Sequence, residues 1–408
     1  MTFGTTGAGD VNLGAAVQIG SMNVTANGYT FIGSSSDPFN LAGTGSLVIN
    51  PGAGNLVRFQ DIFVDSETGA SRSTFSGGTT VDSGTLQLRF RTTSQAAHNV
   101  SFGTGAITMN DGTTLWINKA PSSSNATFLL QNTVNVNGNV TFDYARIDAN
   151  HSARLAGTVN LNGALLMTAS SGGGGGIAGG PHGISGTVVI DQNSTGTRAL
   201  RRGTGDGNQG LTITGNIQDG AGTAENALIL RTYQGTTANR QTTISGTNNT
   251  YAHGTIIEAA TTAATAANAA VGTERAIVVT ATSSLGTGDV QINTGGLLTL
   301  QGSNNINSNA VLTIQDRGFI HLQDGVDLVF NQVNSVFAWN VASNGLLALD
   351  PGSYSIAQLN DFFGLNTAGT DTFHGAGTIT VIPEPSTYAL ILGGLVLGGL
   401  LLRRRFLR

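Results

Sequence analysis

The chain has 408 residues, 10% of them charged, with 59 glycines, no cysteine and a net charge of −5. Lack of cysteine excludes disulfides and thiolate metal sites. Apart from Lys119 every cation is an arginine, four of them in the last six residues; without the segment from Val381 onward, 14 basic face 22 acidic residues, a net −8, which leaves no electrostatic footprint for nucleic acid.

The start, MTFGTTGAGDVNLG, has neither a basic opening nor a long apolar run, so it is not a secretory leader. Its mid-pattern opening predicts an N-terminally truncated chain. Short phrases then recur: LVINPGAGNLVRF (47–59), VNVNGNVTF (134–142), VNLNGALLM (159–167), LTITGNIQDG (211–220) and VLTIQDRGFIHL (311–322). Each is an alternating strand, a polar Gly/Asn turn and a second strand. One pair aligns without gaps: Ser101–Ile117 (SFGTGAITMNDGTTLWI) and Ser284–Leu300 (SLGTGDVQINTGGLLTL) share seven identities in 17 at an offset of 183. Period-two alternation means strands with one buried face, so Ile107/Met109 and Val290/Ile292 are expected to point inward on equivalent faces.

The expected class is all-β, a parallel β-helix over residues 1–350, with about 22 residues per rung, some 17 rungs and a rod near 80 Å. A β-sandwich gives the same alternation. SGGGGGIAGGPHG (171–183) reads as a flexible excursion. EAATTAATAANAAVGTERA (258–276) has alanines enough for a helical turn, but its threonines favour a loop. Ser355–Phe363 places Ile356, Leu359, Phe362 and Phe363 on one helical face, the core of a cap over 351–380. The remainder, 381–408, stands apart.

Chemistry-bearing motifs are weak in the body. GDGNQG (205–210) and GGGIAG (174–179) spell G-x-G-x-x-G, but a strand and a turn follow them rather than the helix a dinucleotide site needs. A calcium nonapeptide would need more oxygens than Asp206 supplies. The six histidines, His98, His151, His182, His253, His321 and His374, lie more than four residues apart. The nearest charged groupings are Asp61/Asp65 with Arg58 and Asp143/Asp148 with Arg146. No cofactor and no metal is expected, and no catalytic residue stands out.

In the tail, Tyr388–Leu402 is 15 residues without charge, about 22 Å as a helix against a hydrocarbon core of roughly 30 Å. Flanking residues and snorkelling arginines make a marginal crossing. Arg403, Arg404 and Arg405 follow at once and fix the body on the non-cytoplasmic side. Pro383-Glu384-Pro385 precedes the span as an extended, unpaired segment. Gly394 and Gly398 are one turn apart: a face for another helix, or glycine keeping a short helix small.

Two resemblances follow. STFSGGTTVDSGTLQL with the GTGAITMNDGTTL strand pair, and SGTNNTYAHGT with LGTGDVQINTGGLLTLQG, resemble the autotransporter-associated β-strand repeat, with best copies near 73–117 and 245–302. That resemblance implies a right-handed parallel β-helix and a surface-exposed, non-catalytic role. The tail, Pro383-Glu384-Pro385, then a short apolar helix marked by Tyr388, Gly394, Gly398 and Leu402, then Arg403–Arg405, resembles the PEP-CTERM sorting signal of Gram-negative bacteria. It implies recognition and removal of the tail by an exosortase, a membrane enzyme, and a link to exopolysaccharide or biofilm matrix. The expected function is an exported, non-enzymatic surface or matrix protein, held in the inner membrane during sorting and then released to the cell surface. Its partners are an exosortase, the membrane and polysaccharide. The alternatives are a β-helix polysaccharide lyase or glycosidase, and an autotransporter-type adhesin passenger, although that class ends in a membrane barrel.

Overall fold

The structure, a computed structural model, describes residues 1–4, 8–13, 17–33, 41–60, 73–90, 97–119, 126–145, 151–168, 182–202, 211–231, 241–259, 263–272, 275–365, 371–383 and Val396. Short alternating strands cannot close a core alone, because each buries one face and leaves both edges open. Here the chain meets that need by coiling. Strands from successive turns stack in parallel register on three faces. The first face runs from Thr2–Phe3 through Ser46–Ile49 and Ile107–Met109 to Ile217–Gly222. The second runs from Asp10–Leu13 to Val336–Asn340. The third is a ten-stranded sheet from Ala97–Val100 to Phe373–Gly375. Val134–Ala145 and Val159–Thr168 bridge the first two faces as single strands, paired over ten consecutive residues. Only two pairings among the described residues are antiparallel, Val336–Asn340 with Gly345–Ala348 and Gly352–Ser355 with Thr378–Val381, both near the C-terminal end. The alternation therefore belongs to a parallel β-helical coil and not to a sandwich of antiparallel sheets.

The rungs are longer and fewer than expected. Steps on the second face range from 20 residues (Asp10 to Thr30) to 35 (Thr255 to Val290). Twelve steps carry the chain from Asp10 to Val336, about 27 residues each, so this face rises about 58 Å at the spacing of paired strands. Corner excursions lengthen the turns. One of them, within the segment expected to be a loop, is helix α1 (Ala266–Val271). Thr265 and Asn268 close a capping box at its start, and Gly272 ends it in the left-handed conformation at φ 72°. Alanine's preference overrode the threonines because one of those threonines became the cap. α1 lies against the outer side of the third face, where Ala264 and Ala269 bury Val278, Leu297 and Phe319 in a small cluster outside the coil.

Inside the coil, inward side chains stack rung on rung. At the N-terminal end the stack is aromatic: the Phe31 and Phe59 rings lie 4.8 Å apart and nearly parallel, with Phe102 4.9 Å beyond. Outside, asparagines repeat the ladder in amides. Asn162 donates to Asn137 (2.9 Å) and Asn137 to Asn110 (3.1 Å), while Asn160 donates to Asn135 (2.7 Å). At the corners between third and first faces the backbone of one rung rests on that of the next. A Cβ at Gly157, Gly186, Gly215 or Gly246 would lie 2.2, 1.9, 1.8 or 2.4 Å from a carbonyl oxygen of the rung before, so only glycine fits. Buried asparagines knit the same corners. Asn132 accepts from the Phe102 amide at 2.7 Å and donates to the Gly105 carbonyl at 2.8 Å. Asn249 accepts from Ile217 and donates to the Ser284 carbonyl.

The gapless repeat behaves in an unexpected way. Ile107, Met109, Val290 and Ile292 are all buried, and the local geometry matches: Gly103 and Gly286 have φ of 71° and 70° and sit over the carbonyls of Phe75 and Tyr251. Yet Ile107–Met109 lies on the first face, whereas Val290–Ile292 lies on the second. The faces are therefore not equivalent. The unit consists of a corner, a strand, a turn and a strand, and nothing within it specifies which of three faces it occupies.

Asn132→Leu should destabilise the coil by about 3 kcal/mol, because the buried Phe102 amide and Gly105 carbonyl lose their partner. Asn135→Leu, on the outer ladder, should change stability by less than about 1 kcal/mol. Urea unfolding, with hydrogen exchange read at the Phe102 amide, measures both.

Candidate functional site at the C-terminal exit

Thr378–Val381 is the middle strand of a three-stranded sheet, parallel to Asp327–Phe330 and antiparallel to Gly352–Ser355. The Asp327 carboxylate accepts from Thr378 and Thr380 hydroxyls at 2.7 and 3.1 Å. Beside this sheet is helix α2 (Ile356–Phe362), within the stretch where the periodicity put a helix. A Ser355/Gln358 capping box opens it. Its Asn360 reads the edge of Phe373–Gly375 as a strand would, donating to the Phe373 carbonyl at 2.9 Å and accepting from its amide at 3.1 Å.

The chain leaves the coil at a sharp boundary. Val381 is buried. The Ile382 amide makes a ladder bond to Phe330 (2.8 Å), but its side chain is 38% exposed. Pro383, half-buried, has no N–H with which to extend the ladder.

Residues 381–405 match the PEP-CTERM protein-sorting motif. No curated relative and no solved structure matches the chain. The PEP-CTERM motif indicates an exosortase-sorted extracellular protein, and it begins on the last residue of the last strand among the described residues. Of the tail residues singled out above, Pro383 is placed. Glu384, Pro385, Tyr388, Gly394, Gly398, Leu402, Arg403, Arg404 and Arg405 lie outside the described residues, and so, apart from Val396, does the transmembrane helix read in the sequence. Among the described residues no helix is long and apolar enough to cross a membrane.

Elsewhere the polar groups are dispersed. Among the described residues no three His, Asp or Glu side chains converge as a metal site would require. His253 faces Asp219 at 3.7 Å, His321 meets the Ala269 carbonyl at 2.8 Å, and His182 packs its ring 4.7 Å from Tyr144. Of the charged groupings, Arg58 bonds to Gln87 and Asp143 accepts from Thr168 at 2.8 Å. Asp61, Asp65, Arg146 and Asp148 lie outside the described residues, as do GDGNQG, GGGIAG and most of the 171–183 excursion.

One cavity, of about 590 Å³, opens where α1, the second-to-third-face turns and the terminal hairpin meet. Phe319 and Trp339 supply its aromatic surface, and Thr294, Asp316, Arg317 and Asn344 its polar groups. Its lining comes from separate segments between Ala263 and Thr372, so no local motif could have announced it.

Close by, burial holds the His374 imidazole below its usual range, only partly opposed by its bond to the Asp371 carbonyl and by the Asp371 charge, with His321 adding to the depression. A histidine whose folded pKa is depressed contributes stability that is complete above the unfolded value near 6.5 and is lost as pH falls below it. The urea midpoint should therefore decline from about pH 7 to pH 5, and His374→Gln should flatten that decline relative to the parent chain.

Proposed function

We propose that the chain is an exported, non-enzymatic surface or matrix rod of the exopolysaccharide or biofilm type. In this reading its tail serves as an address that is read and removed at the membrane. The observation that carries this reading is the coincidence of the sorting motif's first residue with the last residue of the coil. Processing after Ile382 would sever no strand and expose no core. The parallel three-faced coil supports kinship with autotransporter-associated repeats, and a right-handed path follows from the handedness of parallel crossovers. Tyr388–Leu402 is taken as the membrane helix. Glu384 supplies the charge that the enzyme reads between two prolines, and Arg403–Arg405 set depth and direction. Polysaccharide is taken as a ligand that is bound without turnover.

The test is a chain carrying an export signal, expressed in a host that has the exosortase. Mass spectrometry should find a mature form lacking Arg403–Arg408. Glu384→Ala should leave an unprocessed, membrane-bound form, and Gly394→Leu with Gly398→Leu should slow processing while leaving insertion intact. A mature protein still ending at Arg408 would reduce the tail to an anchor. Release of reducing ends or unsaturated sugars from a polysaccharide panel would bring the lyase or glycosidase reading forward.

A further inference from the structure

The turn Asn293–Gly296 and the turn Gln315–Gly318 are the same structure one rung apart. Gly296 donates to the Asn293 carbonyl at 2.9 Å, Gly318 to the Gln315 carbonyl at 2.9 Å, and the Gly295 amide bonds to the Arg317 carbonyl at 2.7 Å. The third residue of each has left-handed backbone. In the first turn it is Gly295, at φ 74°; in the second it is Arg317, at φ 54°. Glycine adopts that conformation freely, whereas a bulky side chain adopts it against a steric penalty. Arg317 lines the cavity described above and is exposed. Neither its guanidinium nor the carboxylate of its neighbour Asp316 has a hydrogen-bond or ion-pair partner among the described residues. Asn344, across the cavity, is also left-handed at φ 51°. An exposed carboxylate and guanidinium thus line the same cavity as the half-buried indole of Trp339. Strain persisting at a concave site is a mark of ligand contact.

We infer that this cavity binds a short saccharide segment. A sugar ring offers an apolar C–H face and a rim of hydroxyls. Trp339 matches the first, through the apolar surface and negative ring face of an aromatic side chain, with the buried Phe319 forming the floor beneath it. Asp316, which accepts from vicinal hydroxyls, and Arg317 and Asn344, which donate, match the second. The volume lies within the range of small-ligand sites. The choice of a sugar rests on this lining and on the matrix-rod reading above. The site is at the C-terminal end of the coil, so a bound polysaccharide would be held near the point of membrane attachment.

The sequence contains two tryptophans, Trp116 and Trp339, so Trp116→Phe leaves Trp339 as the reporter. The full chain, kept in a zwitterionic detergent without a sugar headgroup, is titrated with cellotriose, laminaritriose and chitotriose. At least one should change Trp339 emission saturably. Asp316→Asn should weaken that sugar about tenfold, the loss of one good hydrogen-bonded contact. Arg317→Gly is the sharper test: it should raise the urea midpoint, because glycine relieves the turn, and weaken binding about tenfold. An Arg317→Gly protein that is more stable and binds unchanged would overturn the inference. So would the absence of any saturable change up to about 10 mM of each sugar, a concentration at which a millimolar site would be nearly filled. Tail processing is scored separately. Normal processing without sugar binding overturns the cavity assignment alone, and binding without processing overturns the sorting reading alone.

Discussion

The structure depends on pairing between rungs. A strand of three to six residues has almost no stability of its own, and its backbone donors and acceptors are met by the strands before and after it. That requirement brings successive rungs to strand-pairing distance along each face, and at the corners closer than side chains allow. Gly157, Gly186, Gly215 and Gly246 answer the crowding by having no side chain. Asn132 and Asn249 answer it with amides that stand in for backbone where the ladder is interrupted. The unusual composition, rich in glycine and polar without charge, is the chemical record of these corners. Charge would suffer there, since like side chains stack directly on one another.

Face by face, the interior was legible from the sequence because alternation has only one physical meaning for a strand. The outward asparagines of VNVNGN and VNLNG lie at matching places in the alternation, and in the coil Asn135–Asn160 and Asn137–Asn162 form a ladder. Rung length was not legible, because corner segments of variable size add residues without adding strands. α1 was hidden by its own threonines, one of which serves as its cap. The turns of the coil are written more directly elsewhere in the sequence: LAGT, ISGT, ITGN and ISGT put glycines at 157, 186, 215 and 246, spacings of 29, 29 and 31.

The tail and the proposed sugar site differ in legibility for a related reason. The tail is contiguous, and three adjacent chemistries (prolines around an acid, an apolar stretch, an arginine cluster) make sense only together. The cavity beside Trp339 is assembled from separate segments between Ala263 and Thr372. In one dimension Arg317 is simply a residue in a polar turn. Only the neighbouring rung, with Gly295 in the same place, shows that a side chain stands where the backbone prefers none.

The displacement of the matched repeat by one face has a consequence for how such a chain can change. A segment copied within the gene need not encode a whole turn to be absorbed. Adding or removing one strand with its corner keeps the unit's internal geometry, changes its pairing partners only where old and new rungs meet, and advances all later residues to the next side of the rod. Which side shows asparagine ladders, which carries arginines and where a cavity opens are then set by a running tally of strands from the start of the coil. Single-face duplication would reorient an existing surface relative to the C-terminal end of the coil without altering a residue of it.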